Sequence, residues 1–154
     1  MIGDNRKHLS CLLTLKVKID PTTNLPTDEL DAIVKDWCRF ILEENKIEEN
    51  EQNIPEKTID FIIGPHSDIF RQGIQDEIDL VNTNAAFRAA EVRKFCVLPQ
   101  EFSISTGELG PTLKLKRHVV MEKYRAEIDQ MYSTNEAEDL PYEGRTSAEA
   151  VMRA

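Results

Sequence analysis

The chain has 154 residues, 40% of them hydrophobic and 31% charged, with seven prolines, six glycines and no internal repeat. That fits one domain with a core of its own and leaves no room for two of ordinary size. Nineteen Lys and Arg stand against 28 Asp and Glu, and the net charge of −9 argues against a phosphate-backbone-binding module, so nucleic acid is not an expected partner.

The longest uncharged runs, such as residues 9–15, are far below the roughly 18 apolar residues that a transmembrane helix requires. The opening MIGDNRKHLS has no apolar signal core, and Cys11, Cys38 and Cys96 are too widely and oddly spaced for a disulfide framework or a zinc knuckle. A cytoplasmic, reducing setting is expected, with peripheral contact to membranes left open.

In chain order, Leu9, Cys11, Leu13, Leu15, Val17 and Ile19 alternate with Ser10, Thr14, Lys16 and Lys18, the period of one half-buried strand over residues 8–20. Thr27, Asp28 and Glu29 read as the cap and first turn of an amphipathic helix over residues 27–44, with Leu30, Ile33, Val34, Trp37 and Ile41 at helical spacing. Residues 43–57 hold six acids and two bases and read as an acidic surface loop. After a short apolar turn (Ile59, Phe61, Ile62), Ser67 is the expected cap of a second long helix with Phe70, Ile74, Ile78 and Val81 inward. Residues 91–98 form a second strand ended by Pro99.

A glycine-bearing connection, residues 105–111, leads to Thr112–Lys116 and then to a third helix over residues 117–131 with Val120, Tyr124, Ile128 and Met131 inward. Residues 133–154 are acidic and poor in large apolar groups, the composition of a disordered tail. The expected class is α+β: a small sheet packed with three main helices over residues 1–132.

The segment TGELGPTLKLKR is the most informative in the chain. Read as extended, it anchors itself through Leu113 and Leu115 and presents Thr112, Lys114 and Lys116 on the other side. An ammonium held on a fixed backbone suits phosphate or carboxylate oxygens, whose negative charge it offsets during phosphoryl or nucleotidyl transfer. On spacing alone Lys114 and Lys116 are equivalent, and alternating lysines are more often a solvated face than a site. No Walker-type loop or Rossmann fingerprint occurs. His8, His66 and His118 lack partners at metal-ligand spacing, so no metal is expected; Cys11 and Cys38 read as small core residues, while Cys96 alternates away from Phe95 and Val97 and has no paired base nearby in sequence.

The run EFSISTGELGPTLKLKRHVVMEKYRAEIDQMY resembles the C-terminal end of long-chain acyl-CoA synthetases of the bubblegum branch, in the adenylate-forming (AMP-binding) superfamily. The opening IGDNRKHLSCLLTLKVKIDPTTNLPTDELD resembles the same branch, in the right order, so the resemblance covers residues 2–132. It implies a lid domain that closes over a larger N-terminal domain in two orientations, with the first hairpin of the lid missing. It implies Lys114 as the lysine that reaches nucleotide and acyl carboxylate during adenylation, and it separates Lys114 from Lys116.

The parent reaction is activation of a long-chain fatty acid through acyl-AMP to acyl-CoA, with ATP, Mg and CoA required by the complete enzyme and none of them bound by this chain alone. The nucleotide-binding domain and hinge are not in the sequence, so the expectation is a fragment that is inactive alone and has an N-terminal synthetase domain as partner. Whether the chain is itself an enzyme stays open. The alternative is a non-catalytic interaction or regulatory module docking on a full-length synthetase.

Overall fold

The computed structural model describes residues 1–4, 6, 8–48 and 53–133. The order is β1 (Leu9–Thr14), β2 (Val17–Ile19), β3 (Pro26–Leu30), α1 (Ala32–Glu44), α2 (Thr58–Ile63), α3 (Ser67–Asn82), β4 (Val92–Leu98), α4 (Arg117–Lys123) and α5 (Arg125–Ser133), with a 3₁₀ turn at Arg88–Ala90. The class is α+β as expected. The strands form two two-stranded sheets, β1 parallel to β4 and β2 antiparallel to β3.

The single strand expected over residues 8–20 is two. The chain bends at Leu15 and Lys16, where Lys16 O accepts the Asp31 N–H (3.0 Å) and Val17 N–H donates to the Glu101 carboxylate (3.1 Å). The alternation also misjudges β1. Ser10 is fully buried, while Leu9, Cys11 and Leu13 are half-buried, because a parallel pair covered on both faces does not sort its residues by polarity.

The helix expected from Thr27 begins at Asp31 instead, whose Oδ1 accepts the Ile33 N–H at 3.1 Å. Thr27 is engaged elsewhere: its hydroxyl donates to Lys18 O (2.9 Å) and holds β3 against β2. Val17 pairs with Leu30 and Ile19 with Pro26, so tertiary pairing overrides the local helix signal.

The acidic stretch 43–57 is not wholly a surface loop, since Ile54 and Pro55 are buried; residues 49–52 lie outside the described ones. The expected apolar turn is the helix α2, started by Asp60 Oδ2 accepting the Lys57 N–H (3.0 Å). Helix α3 starts where expected, but the cap position is His66, and Val81 is exposed to solvent. Asn82 clamps the start of β4, accepting from Val92 N–H (2.9 Å) and donating to Val92 O (2.8 Å). The third helix breaks at Tyr124 into α4 and α5, with Val120, Tyr124, Ile128 and Met131 all buried as expected. The expected tail lies, from residue 134 on, outside the described residues.

Two apolar clusters form the core. One joins Val17, Leu30, Cys38, Leu42, Phe61 and Phe70 from β2, β3 and α1 to α3. The other joins Ile2, ahead of β1, to Cys96, Leu98, Val120, Ile128 and Met131 from β4, α4 and α5. Burial raises the thiol pKa of Cys11 and pushes that of Cys38 up to about 12, so neither is a reactive thiolate at neutral pH. Among the described residues no helix is long and apolar enough to cross a membrane.

Candidate functional site

Residues 99–116 cross from the end of β4 to the start of α4 and are braced by two carboxylates. Glu101 takes Lys16 Nζ (2.9 Å) and Val17 N–H (3.1 Å), which ties the start of the connection to the bend between β1 and β2. Glu108 is 1% exposed and braces the other half.

The Glu108 carboxylate accepts from Lys123 Nζ, from Tyr124 OH at 3.0 Å and from Thr106 Oγ1, with Ser103 N–H at a longer 3.4 Å. Thr106 Oγ1 lies 2.6 Å from Ser103 Oγ, which lies 2.8 Å from Ser105 Oγ. Each hydroxyl has one proton, so with Thr106 donating to Glu108 the chain of donation runs from Ser105 to Ser103 to Thr106 to the carboxylate. Burial works to raise the Glu108 pKa, but the donors from Lys123, Thr106 and Tyr124 outweigh it and hold the carboxyl down to about 2. The Tyr124 hydroxyl is shifted upward by burial and then by its bond to the Glu108 carboxylate. Gly107, at φ 93°, lets the chain turn back between the hydroxyls and Glu108.

Beyond Glu108 the backbone makes a hairpin. Lys116 N–H donates to Glu108 O (2.7 Å), Gly110 N–H to Lys114 O (2.8 Å) and Leu113 N–H to Gly110 O (2.9 Å), with Leu109 and Leu115 bridged antiparallel. Pro111 presets φ within the turn, and Leu113 takes φ 59°, the left-handed position of a bulged hairpin that glycine usually fills.

This corrects the expectation of an extended Thr112–Lys116 anchored by leucines. Leu113 is 68% and Leu115 51% exposed, because the turn's hydrogen bonds fix Leu113 in a conformation that cannot continue a strand. Lys114 sits on this hairpin, exposed, and so does Lys116. Arg117 pairs with Asp4 (3.0 Å) and Lys123 with Glu108, whereas the ammonium groups of Lys114 and Lys116 have no side-chain partner among the described residues. The arrangement presents two ammonium groups, without side-chain counter-charge among the described residues, on a short braced loop, suited to an anionic oxygen.

The Ser105 and Thr106 hydroxyls hold the turn. Glu108 was not singled out by the sequence, where it is one acid among 28. The available signal was its place inside STGELG, between glycines and next to a run of hydroxyls. Among the described residues no group of three or more His, Cys, Asp or Glu side chains is placed to hold a metal ion.

With this hairpin in place, the sequence comparison assigns a class: over 86% of its length the chain is a homologue of long-chain-fatty-acid–CoA ligases. It is 42% identical over 132 residues to the mouse ligase ACSBG1 and 41% identical over 132 residues to the human one, each match spanning 17% of the relative's length. It is 37% identical over 134 residues to the rat ligase ACSBG2, covering 87% of this chain and 18% of that protein. No protein-family model matches the chain. No solved structure matches it either.

Proposed function

We propose that residues 1–132 are a partial C-terminal lid of a bubblegum-type long-chain fatty-acid–CoA ligase, one that forms acyl-AMP and then acyl-CoA. The observation that carries this reading is the exposed Lys114, without a side-chain partner among the described residues, on a braced hairpin within a segment homologous to such ligases. In the closed complex its ammonium reaches the nucleotide and the fatty-acid carboxylate as charge develops between them, which is electrostatic stabilisation by a preorganised group.

ATP, Mg and CoA are bound by the complete enzyme. The described residues supply the ammonium and no cluster for the metal. Nucleotide binding and burial of the acyl chain fall to an N-terminal domain, which is the partner of this chain, in a cytoplasmic setting. The chain alone is inactive on this reading, since one positioned charge supplies only a few kcal/mol of a barrier.

The test is a chimera in which the matching segment of mouse ACSBG1 is replaced by residues 1–132 of this chain. Fatty-acid-dependent acyl-CoA formation within about tenfold of the parent is the expected result, and a folded, nucleotide-binding chimera with no acyl-CoA formation contradicts it.

A further inference from the structure

We infer that Glu108 is the positioning residue of the Lys114 hairpin: its backbone closes the hairpin, and its buried side chain ties that hairpin to the junction of α4 and α5. The inference rests on the reading of Lys114 as the functional lysine.

Glu108 is a long acidic side chain buried almost completely in a loop, a placement that persists only when its charge is met by donors. The donors come from two directions. Thr106, relayed through Ser103 and Ser105, lies on the loop itself, while Lys123 and Tyr124 lie at the end of α4 where the helix breaks. The same residue's carbonyl accepts from Lys116, so one residue joins the helix junction to both strands of the hairpin.

Apart from Glu108, the hairpin is tied down by Leu109 N–H on Ser103 O (3.1 Å) and by Arg117 on Asp4 (3.0 Å), with Leu113 and Leu115 exposed and Pro111 to Arg117 on the surface. Removing the carboxylate takes away the acceptor shared by the loop and the helix junction and therefore releases the loop and the ammonium together.

The experiment uses the 154-residue chain and limited trypsin digestion under native conditions, with the rates of cleavage after Lys114 and after Lys35 in α1 measured separately. Glu108→Gln is expected to speed cleavage after Lys114 by tenfold or more relative to cleavage after Lys35, which reports the stability of the chain as a whole. Tyr124→Phe, which removes one donor and keeps the ring, is expected to act in the same direction more weakly and decides the matter should Glu108→Gln not fold. Equal rates in variant and wild type, or a rise at Lys35 in step with Lys114, overturn the inference.

In a complete ligase carrying this segment, Glu108→Gln should lower the rate of acyl-AMP formation at saturating substrates about tenfold and leave conversion of supplied acyl-AMP unchanged. Lys114→Ala separates the two ideas. If it leaves acyl-AMP formation intact while Glu108→Gln loosens the hairpin, the reading of Lys114 fails and the hold of Glu108 on the hairpin stands. If it slows acyl-AMP formation while Glu108→Gln leaves the hairpin's cleavage unchanged, the positioning role fails.

Discussion

A buried carboxylate surrounded by four donors makes this domain sensitive to acid at one identifiable residue. The Glu108 carboxyl is held from its ordinary 4.5 down to about 2, so the folded state binds its proton less tightly than the unfolded state does. A depressed pKa contributes stability that is fully present above the unfolded value and is lost as pH falls toward the folded one. The window here is therefore from about pH 4.5 down to about 2, and the contribution is on the order of 3 kcal/mol. In urea unfolding between pH 7 and pH 3, wild type should be more stable than Glu108→Gln at neutral pH, and the gap should narrow as pH falls through this window. A constant gap would show that the carboxylate is not the acid-sensitive group.

At the scale of elements, closeness of approach sets the packing of α1 on α3. A Cβ added at Gly73 would lie 2.9 Å from Ile41 Cδ1 and 3.1 Å from the Trp37 ring, so the two helices meet where α3 has no side chain. Gly73→Val should therefore push α1 away and lower stability by about 2 kcal/mol, despite removing a glycine from a helix. Thermal unfolding at matched concentration measures this, and an unchanged or raised midpoint would contradict the packing account.

The same scale shows what was legible beforehand. The inward face of the last helical segment, Val120, Tyr124, Ile128 and Met131, was readable because four residues at helical spacing carry one message. The break at Tyr124 was not, since nothing in the local pattern marks it. Strand β3 was hidden because Thr27, Asp28 and Glu29 imitate a helix start, and only pairing with β2 decides otherwise. Ser10 was assigned to solvent by alternation, a rule that assumes a sheet with one wet face. Lys114 is singled out by its motif and its role is a proposal, whereas the setting of Glu108 depended on Lys123 and Tyr124, fifteen and sixteen residues away, folding back onto it.

For the whole molecule, the contrast is between an acidic chain of net charge −9 and a hairpin whose two lysines carry no counter-charge among the described residues. The two apolar clusters are built around different helices, α1 to α3 in one and α4 with α5 in the other, and the hairpin stands beside the second. On the proposed reading, that cluster and Glu108 hold the base of the hairpin while Lys114 serves the surface of an N-terminal domain. The central claim is that this lysine acts in one half of a two-step ligase reaction. The most direct measurement is single-turnover formation of acyl-AMP, and separately of acyl-CoA from supplied acyl-AMP, in a complete ligase carrying this segment. Lys114→Ala should slow acyl-AMP formation by about 10²-fold or more, the scale of removing one preorganised donor, with the second step near wild type and Lys116→Ala close to wild type in both. Equal slowing of acyl-AMP formation by the two substitutions, or equal slowing of both steps by Lys114→Ala, would contradict the account.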